Sequence, residues 1–149
     1  MGVGHYCNRE VVVTEKDATI QEIAQLMREH HVGDVIIVEP TPGGNRPVGI
    51  VTDRDLVVEI LAQEVDPASV TAADFMSAEP VTAGEKDGLL DTLEQMYTHG
   101  VRRMPVVNDQ GDLEGILVAD DLLELISEQI SDLARLVKRE ILEEKVKRP

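Results

Sequence analysis

Apolar residues fall along this chain in short runs and one-sided stripes, and the two patterns predict different elements. Val11-Val12-Val13 is a compact run that predicts a short strand. Ile20, Ile23, Ala24, Leu26 and Met27 follow at helical spacing, and Asp17 or Thr19 precedes them as a cap. Asp34 to Val38 and Val48 to Thr52 read as buried strands, separated by the turn chemistry of Pro40-Thr41-Pro42-Gly43-Gly44. Asp53 to Ala62 predicts a second helix, and Gln63 to Thr71 is a polar connector holding Pro67. The order then recurs. Pro80 to Thr82 predicts a strand, and Leu89, Leu90, Leu93 and Met96 a helix that Gly100 can end in a left-handed conformation. Met104 to Val107 and Leu113 to Leu117 predict strands, and a long helix starts near Ala119.

The recurrence is written in the residues themselves. Val48-Gly49-Ile50-Val51-Thr52-Asp53-Arg54-Asp55-Leu56 returns as Glu114-Gly115-Ile116-Leu117-Val118-Ala119-Asp120-Asp121-Leu122. Upstream, Tyr6 aligns with Phe75, Cys7 with Met76, Val12 with Val81, Met27 with Met96 and Val32 with Val101. The register shifts once, where Glu39 to Pro47 exceeds its counterpart Asn108 to Asp112. An internal repeat decides architecture before any local reading does. Each half is strand-helix-strand-strand-helix, an α/β (α+β) layout. The halves divide at residues 1–65 and 66–149. A unit of about 70 residues buries too little surface to be stable alone, so the halves should share a core.

Composition narrows the function. Lys and Arg number 14 against 29 Asp and Glu, a net charge of −15. That opposes nucleic acid, whose binding rests on neutralising phosphates, and anionic membranes. No apolar run could span a bilayer, and the short polar start is no secretory segment. A cytoplasmic protein is expected. Tyr6, Phe75 and Tyr97 are the only aromatics. The core must be aliphatic, and a bound ring would lie between aliphatic walls. Cys7 is the single cysteine and excludes an intramolecular disulfide.

The tandem strand-helix-strand-strand-helix order, with Gly49-Ile50-Val51-Thr52-Asp53-Arg54-Asp55-Leu56 closing the third strand and opening the second helix, resembles the CBS domain pair, or Bateman module. The likeness covers essentially the whole chain, as a stand-alone pair with an extended C-terminal helix. It implies a regulatory, non-catalytic module that binds an adenosine-containing ligand between the two copies. AMP, ADP, ATP, S-adenosylmethionine and NAD are the implied candidates. The ligand would be regulatory, with no obligatory cofactor, and the regulated protein partner is unknown.

The motif's chemistry fits that implication. Thr52 sits where a strand hands over to a helix, and Asp55 follows in the first turn. A carboxylate there can accept hydrogen bonds from both hydroxyls of a ribose, and Thr52 can reach ribose or phosphate. Gly49 would let a ring approach the backbone. The same Thr-x-x-Asp spacing is also a capping box, and the two roles are compatible. In the second copy Val118 replaces the threonine while Asp121 keeps the carboxylate, so the two clefts should be unequal.

Val101-Arg102-Arg103-Met104-Pro105-Val106-Val107 adds a positive island to an acidic chain. The resemblance implies that basic residues before this proline reach ligand phosphate, and Arg102 or Arg103 is assigned that role, with Met104 and Pro105 beside them. Surface salt bridges are the alternative. The first copy has Gly33-Asp34 there and supplies no matching charge. Arg54 and Arg46 are lesser phosphate candidates, and Arg54 reads most simply as a solvated helix residue. By analogy of fold, Val12, Val13, Val35 and Ile37 could wall an adenine.

His5, Cys7, His30 and His31 match no strong metal spacing, and Cys7 reads as a core position. On the last helix Leu122, Ile126, Ile130, Leu133, Val137 and Ile141 form one apolar stripe. Its first turns belong to the core, and the part beyond Ile126 predicts a homodimer or partner contact. A structural or oligomerisation module with vestigial clefts is the competing function.

Overall fold

The computed structural model describes residues 2–148. It divides into two compact bodies, one ending at Leu117 and the other starting at Val118. The first body opens with a 3-10 turn, Val3–His5, followed by β1 (Val13–Thr14), α1 (Ile20–His30), β2 (Asp34–Thr41) and β3 (Gly44–Thr52). The short α2 (Asp53–Asp55) runs into a π-helical stretch, Leu56–Leu61. The second copy follows with α3 (Ala72–Phe75), β4 (Ser77–Ala78), β5 (Ala83–Gly84), α4 (Leu89–His99), β6 (Arg103–Val107) and β7 (Leu113–Val118). The second body is the helix α5, Ala119–Lys147.

Local sequence explains most boundaries. Thr19 caps α1 through a reciprocal box: its Oγ1 accepts the Glu22 N–H at 3.1 Å, and Glu22 accepts the Thr19 N–H at 3.0 Å. Such a cap contributes about 1 kcal/mol. The helix closes at His31 in the left-handed region, φ 55°. Gly100 ends α4 at φ 63°, where a residue without Cβ meets no steric cost. The one-sided stripes face inward as expected at Ile20, Ile23, Met27 and Met96, but Ala24 and Leu90 are exposed. Thr92 is buried instead, its hydroxyl donating to the Gly88 carbonyl at 2.8 Å. That bond removes the cost of burying a hydroxyl.

Strand limits differ from the sequence pattern in two places. Val11 and Val12 precede β1, although the Val12 carbonyl still accepts the Ile36 N–H at 3.0 Å. Pro80 to Thr82 lies just before β5 rather than forming a strand. The Glu39–Pro47 segment is an extension of the β2–β3 hairpin, not an open loop. Its pairing continues to Thr41 opposite Gly44, with a register shift between Ile37 and Val38. The turn is therefore only Pro42-Gly43, a two-residue hairpin connection.

Two sheets form, in the orders β1-β2-β3-β4 and β5-β6-β7. The fourth strand of the first sheet comes from the second copy: Ile50 pairs with Ser77 and Gly49 with Ala78. The reverse exchange is made at the start of the chain. Asn8 and Ile116 exchange backbone hydrogen bonds at 2.8 and 2.9 Å, and Gly4 donates to the Glu85 carbonyl at 2.9 Å. Asn8 is the repeat equivalent of Ser77, and Ile116 of Ile50, so each copy lends its leading segment to the other's sheet.

Two glycines permit the exchange. A Cβ on Gly49 would meet the Met76 sulfur at 2.5 Å, and one on Gly115 would meet the Cys7 sulfur at 2.7 Å and the Asn8 carbonyl oxygen at 2.6 Å. Gly49 therefore admits Met76 rather than leaving a surface for a ligand ring. The core gathers Ile20, Ile23, Val35, Ile37, Val51 and Ile60 with Ala72, and Phe75 and Met76 pack against it. Burying such aliphatic side chains stabilises by roughly 1.5–3 kcal/mol each, before entropy is set against it.

Candidate functional site

The exchange of leading segments builds a cleft from both copies. β3 brings Ile50 and Thr52 to one side, with Asp55 one turn into α2. The other side is Ser77, Pro80 and Val81 from the second copy's lead-in, together with Val101, Arg102 and Arg103 at the entry to β6. The space between them is about 210 Å³. Thr52, Asp55, Arg102 and Arg103, read from sequence as ligand contacts, thus line one cavity.

Thr52 and Asp55 also form the capping box. Thr52 Oγ1 accepts the Asp55 N–H at 3.2 Å, and Asp55 Oδ2 accepts the Thr52 N–H at 2.8 Å. The cap holds both side chains in place. Asp55 is only partly exposed, and its carboxylate has a second oxygen.

Arg103 crosses to the first copy. Its Nε lies 2.9 Å from Oδ2 of Asp34, whose side chain is 17% exposed against 34% for the arginine. Burial pushes the Asp34 carboxyl above its ordinary value, the Arg103 charge and hydrogen bond pull it down, and Asp53 pushes it up. The guanidinium end of Arg103 reaches over Gly33: a Cβ there would be 3.6 Å from an Arg103 terminal nitrogen and 3.1 Å from an Asp53 oxygen.

Other sequence candidates lie elsewhere. Val35 and Ile37 are fully buried in the core and do not line this cleft. Met104 and Pro105 are buried in β6 beyond the two arginines. Arg54 is exposed on α2, and Arg46 bonds Glu39 at 2.7 Å on the hairpin. Val12 and Val13 line a different cleft of about 590 Å³, with Asn8, Leu26, His30 and Val32. The walls beside Thr52 are instead Pro80 and Val81, the repeat equivalents of Val11 and Val12. The physical reason is the β3–β4 pairing, which puts the second copy's lead-in against the first copy's third strand.

Val118 precedes α5 without any side-chain cap bond, unlike Thr52, and Asp121 is exposed in the helix's first turn. Cys7 is half-buried, its thiol pushed up by desolvation. Among the described residues no three His, Cys, Asp or Glu side chains are placed to hold a metal ion. Nor is any described helix long and apolar enough to cross a membrane.

The family model for the CBS domain matches residues 3–62 and again residues 72–128. The chain belongs to the CBS domain family. The CBS repeats account for both sheets and for the cleft between them. The Bacillus subtilis CBS domain-containing protein YhcV is 35% identical over 113 residues, 76% of either chain. Protein MK0525 of Methanopyrus kandleri is 37% identical over 125 residues, covering 84% of this chain and 62% of that protein's length. Among solved structures, the CBS domain protein PAE2072 of Pyrobaculum aerophilum, complexed with AMP, is 29% identical. It superposes with a TM-score of 0.72 over 85% of this chain and 99% of that one.

Proposed function

We propose that this CBS pair is a regulatory module that holds an adenosine-containing ligand in the Thr52 cleft and passes its occupancy to a protein partner. The observation that carries the reading is the convergence of a hydroxyl, a carboxylate and two guanidiniums on one cavity of about 210 Å³. Asp55 accepts the ribose hydroxyls, Thr52 adds a bond to ribose or phosphate, and Arg102 and Arg103 face the phosphate. Val81, Val101, Pro80 and Ile50 supply the aliphatic walls that a chain without tryptophan must use against adenine. The AMP complex of PAE2072 supports the ligand class. AMP, ADP, ATP, NAD and S-adenosylmethionine are the candidates. The module acts in the cytoplasm, without catalysis of its own. Ligand binding acts on the partner only through different affinities for two conformations. A thermal-shift panel of these five compounds tests the reading.

A second reading concerns α5. Ile126, Ile130, Leu133, Val137 and Ile141 are 38–63% exposed on a helix about 40 Å long. An uncovered stripe of that size is unusual in a monomer. With Leu122 the intervals read 4, 4, 3, 4, 4, the same in both directions. An antiparallel second copy therefore sets Ile126 opposite Val137 and Ile130 opposite Leu133. Every charged residue from Ala119 to Asp132 is acidic, whereas five of eight from Leu133 to Lys147 are basic. Antiparallel pairing brings the opposite halves together, and parallel pairing would not. A homodimer through α5 is the oligomer this pattern supports.

A further inference from the structure

We infer that Asp34 is a specificity element that restricts the Thr52 cleft to ligands carrying a single phosphate. The inference rests on the adenosine-ligand reading above and narrows its ligand class. Asp34 stands at the repeat position equivalent to Arg103, and the two meet as a pair, Nε to Oδ2 at 2.9 Å. An arginine recognises phosphate best when two parallel N–H groups are available along one edge. The Nε edge of Arg103 is held by Asp34, so this guanidinium offers phosphate its terminal nitrogens only.

Charge around the cleft points the same way. Arg102 and Arg103 are accompanied by Asp55 on the cavity wall, by Asp34 against Arg103, and by Asp53 above Gly33. Asp34, Asp53 and Asp55 thus place carboxylates beside the arginines, within a chain of net charge −15. One phosphate can be met by the terminal nitrogens of Arg103 together with Arg102. Each further phosphate adds negative charge close to these carboxylates. Like charges juxtaposed in a partly desolvated site are a recognised means of rejecting a wrong ligand. Burial makes the Asp34 charge costly in itself, and the protein nonetheless keeps a carboxylate there rather than a neutral amide.

Calorimetry with AMP, ADP, ATP and adenosine in metal-free buffer tests this on the full chain. The wild type should bind AMP more tightly than ADP and ADP more tightly than ATP, with roughly tenfold between AMP and ATP, the scale of a unit charge about 12 Å away at an effective dielectric of about 20. Asp34→Asn keeps the side-chain shape and should reduce the preference for AMP over ATP, chiefly by improving ATP. Asp34→Ser gives a second variant should the amide disturb folding, which circular dichroism reports. Equal or tighter ATP binding by the wild type, or an unchanged ratio in both variants, overturns the inference while leaving the cleft reading intact. No binding of any of the four compounds overturns both.

Discussion

Asp34 and Arg103 occupy equivalent positions in the two repeats, yet carry opposite charges and form an ion pair at 2.9 Å across the repeat boundary. The duplication has diverged here into complementarity: one copy supplies the cation and the other its counter-ion. The pair ties the start of β2 to the start of β6 and sets the electrostatics of the cleft beside them.

Asp34 makes stability depend on pH in a direction opposite to most paired carboxylates. Its carboxyl is raised above the ordinary 3.8, burial outweighing Arg103. A raised folded value favours the protonated form, so the contribution is fully present below 3.8 and is lost as pH rises through the raised value. Wild-type stability minus that of Asp34→Asn should fall as pH rises from 3.8 toward neutrality, and then level off. Urea midpoints for both proteins across that range measure it. A difference that grows with pH contradicts the assignment.

Thr52 and Asp55 have separable roles. Thr52→Val removes a cap and should cost about 1 kcal/mol without ligand. Asp55→Glu keeps the usual capping-box partner and should leave the unliganded protein almost unchanged, while displacing the carboxylate from the ribose. Asp55→Ala should abolish most of the ligand-induced rise in melting temperature. Equal ligand shifts in wild type and Asp55→Ala would remove Asp55 from the site.

The two strand glycines should differ in tolerance. A Cβ at Gly49 meets only the Met76 side chain, from its sulfur at 2.5 Å down to its Cβ at 2.9 Å, whereas one at Gly115 also meets the backbone oxygen of Asn8 at 2.6 Å. Overpacking costs of order 1–3 kcal/mol, with the upper end expected where backbone must move. Gly115→Ala should therefore destabilise more than Gly49→Ala in denaturant titrations. The reverse order would count against the exchange of leading segments as described.

Truncation after Ile130 removes Leu133, Val137 and Ile141 from α5 and should weaken self-association by light scattering, leaving the first body folded. A wild-type monomer at high micromolar concentration contradicts the homodimer. A truncated protein that dimerises equally well moves the interface off this helix.

Much of this was legible in the sequence, because repeated phrases and helical spacing report local chemistry. The Thr19 cap, the Gly100 terminus, the buried run Val35-Ile36-Ile37 and the length of α5 follow from residues close to one another in the chain. The cleft wall did not. Val12 and Val13, placed beside an adenine by analogy of fold, line a different cleft from Thr52. Pairing between segments far apart in sequence is decided by tertiary packing, and here it crosses the copies. A signal was present in Gly49 and Gly115, since glycine inside a strand marks a close approach of another segment. Their partners Met76 and Cys7 were already aligned with each other. The Asp34–Arg103 pair left no such mark, because equivalence in a repeat carries no information about contact.

Under the proposed function, the Thr52 cleft binds an adenosine monophosphate-type ligand through Asp55 and the two arginines. Isothermal calorimetry of AMP against wild type and Asp55→Ala tests it most directly. Saturable binding to the wild type is expected, strongly weakened in the variant. AMP held at 100 times its dissociation constant should then add about 2.7 kcal/mol of stability. Absence of heat with millimolar AMP, or undiminished binding by Asp55→Ala, would contradict it.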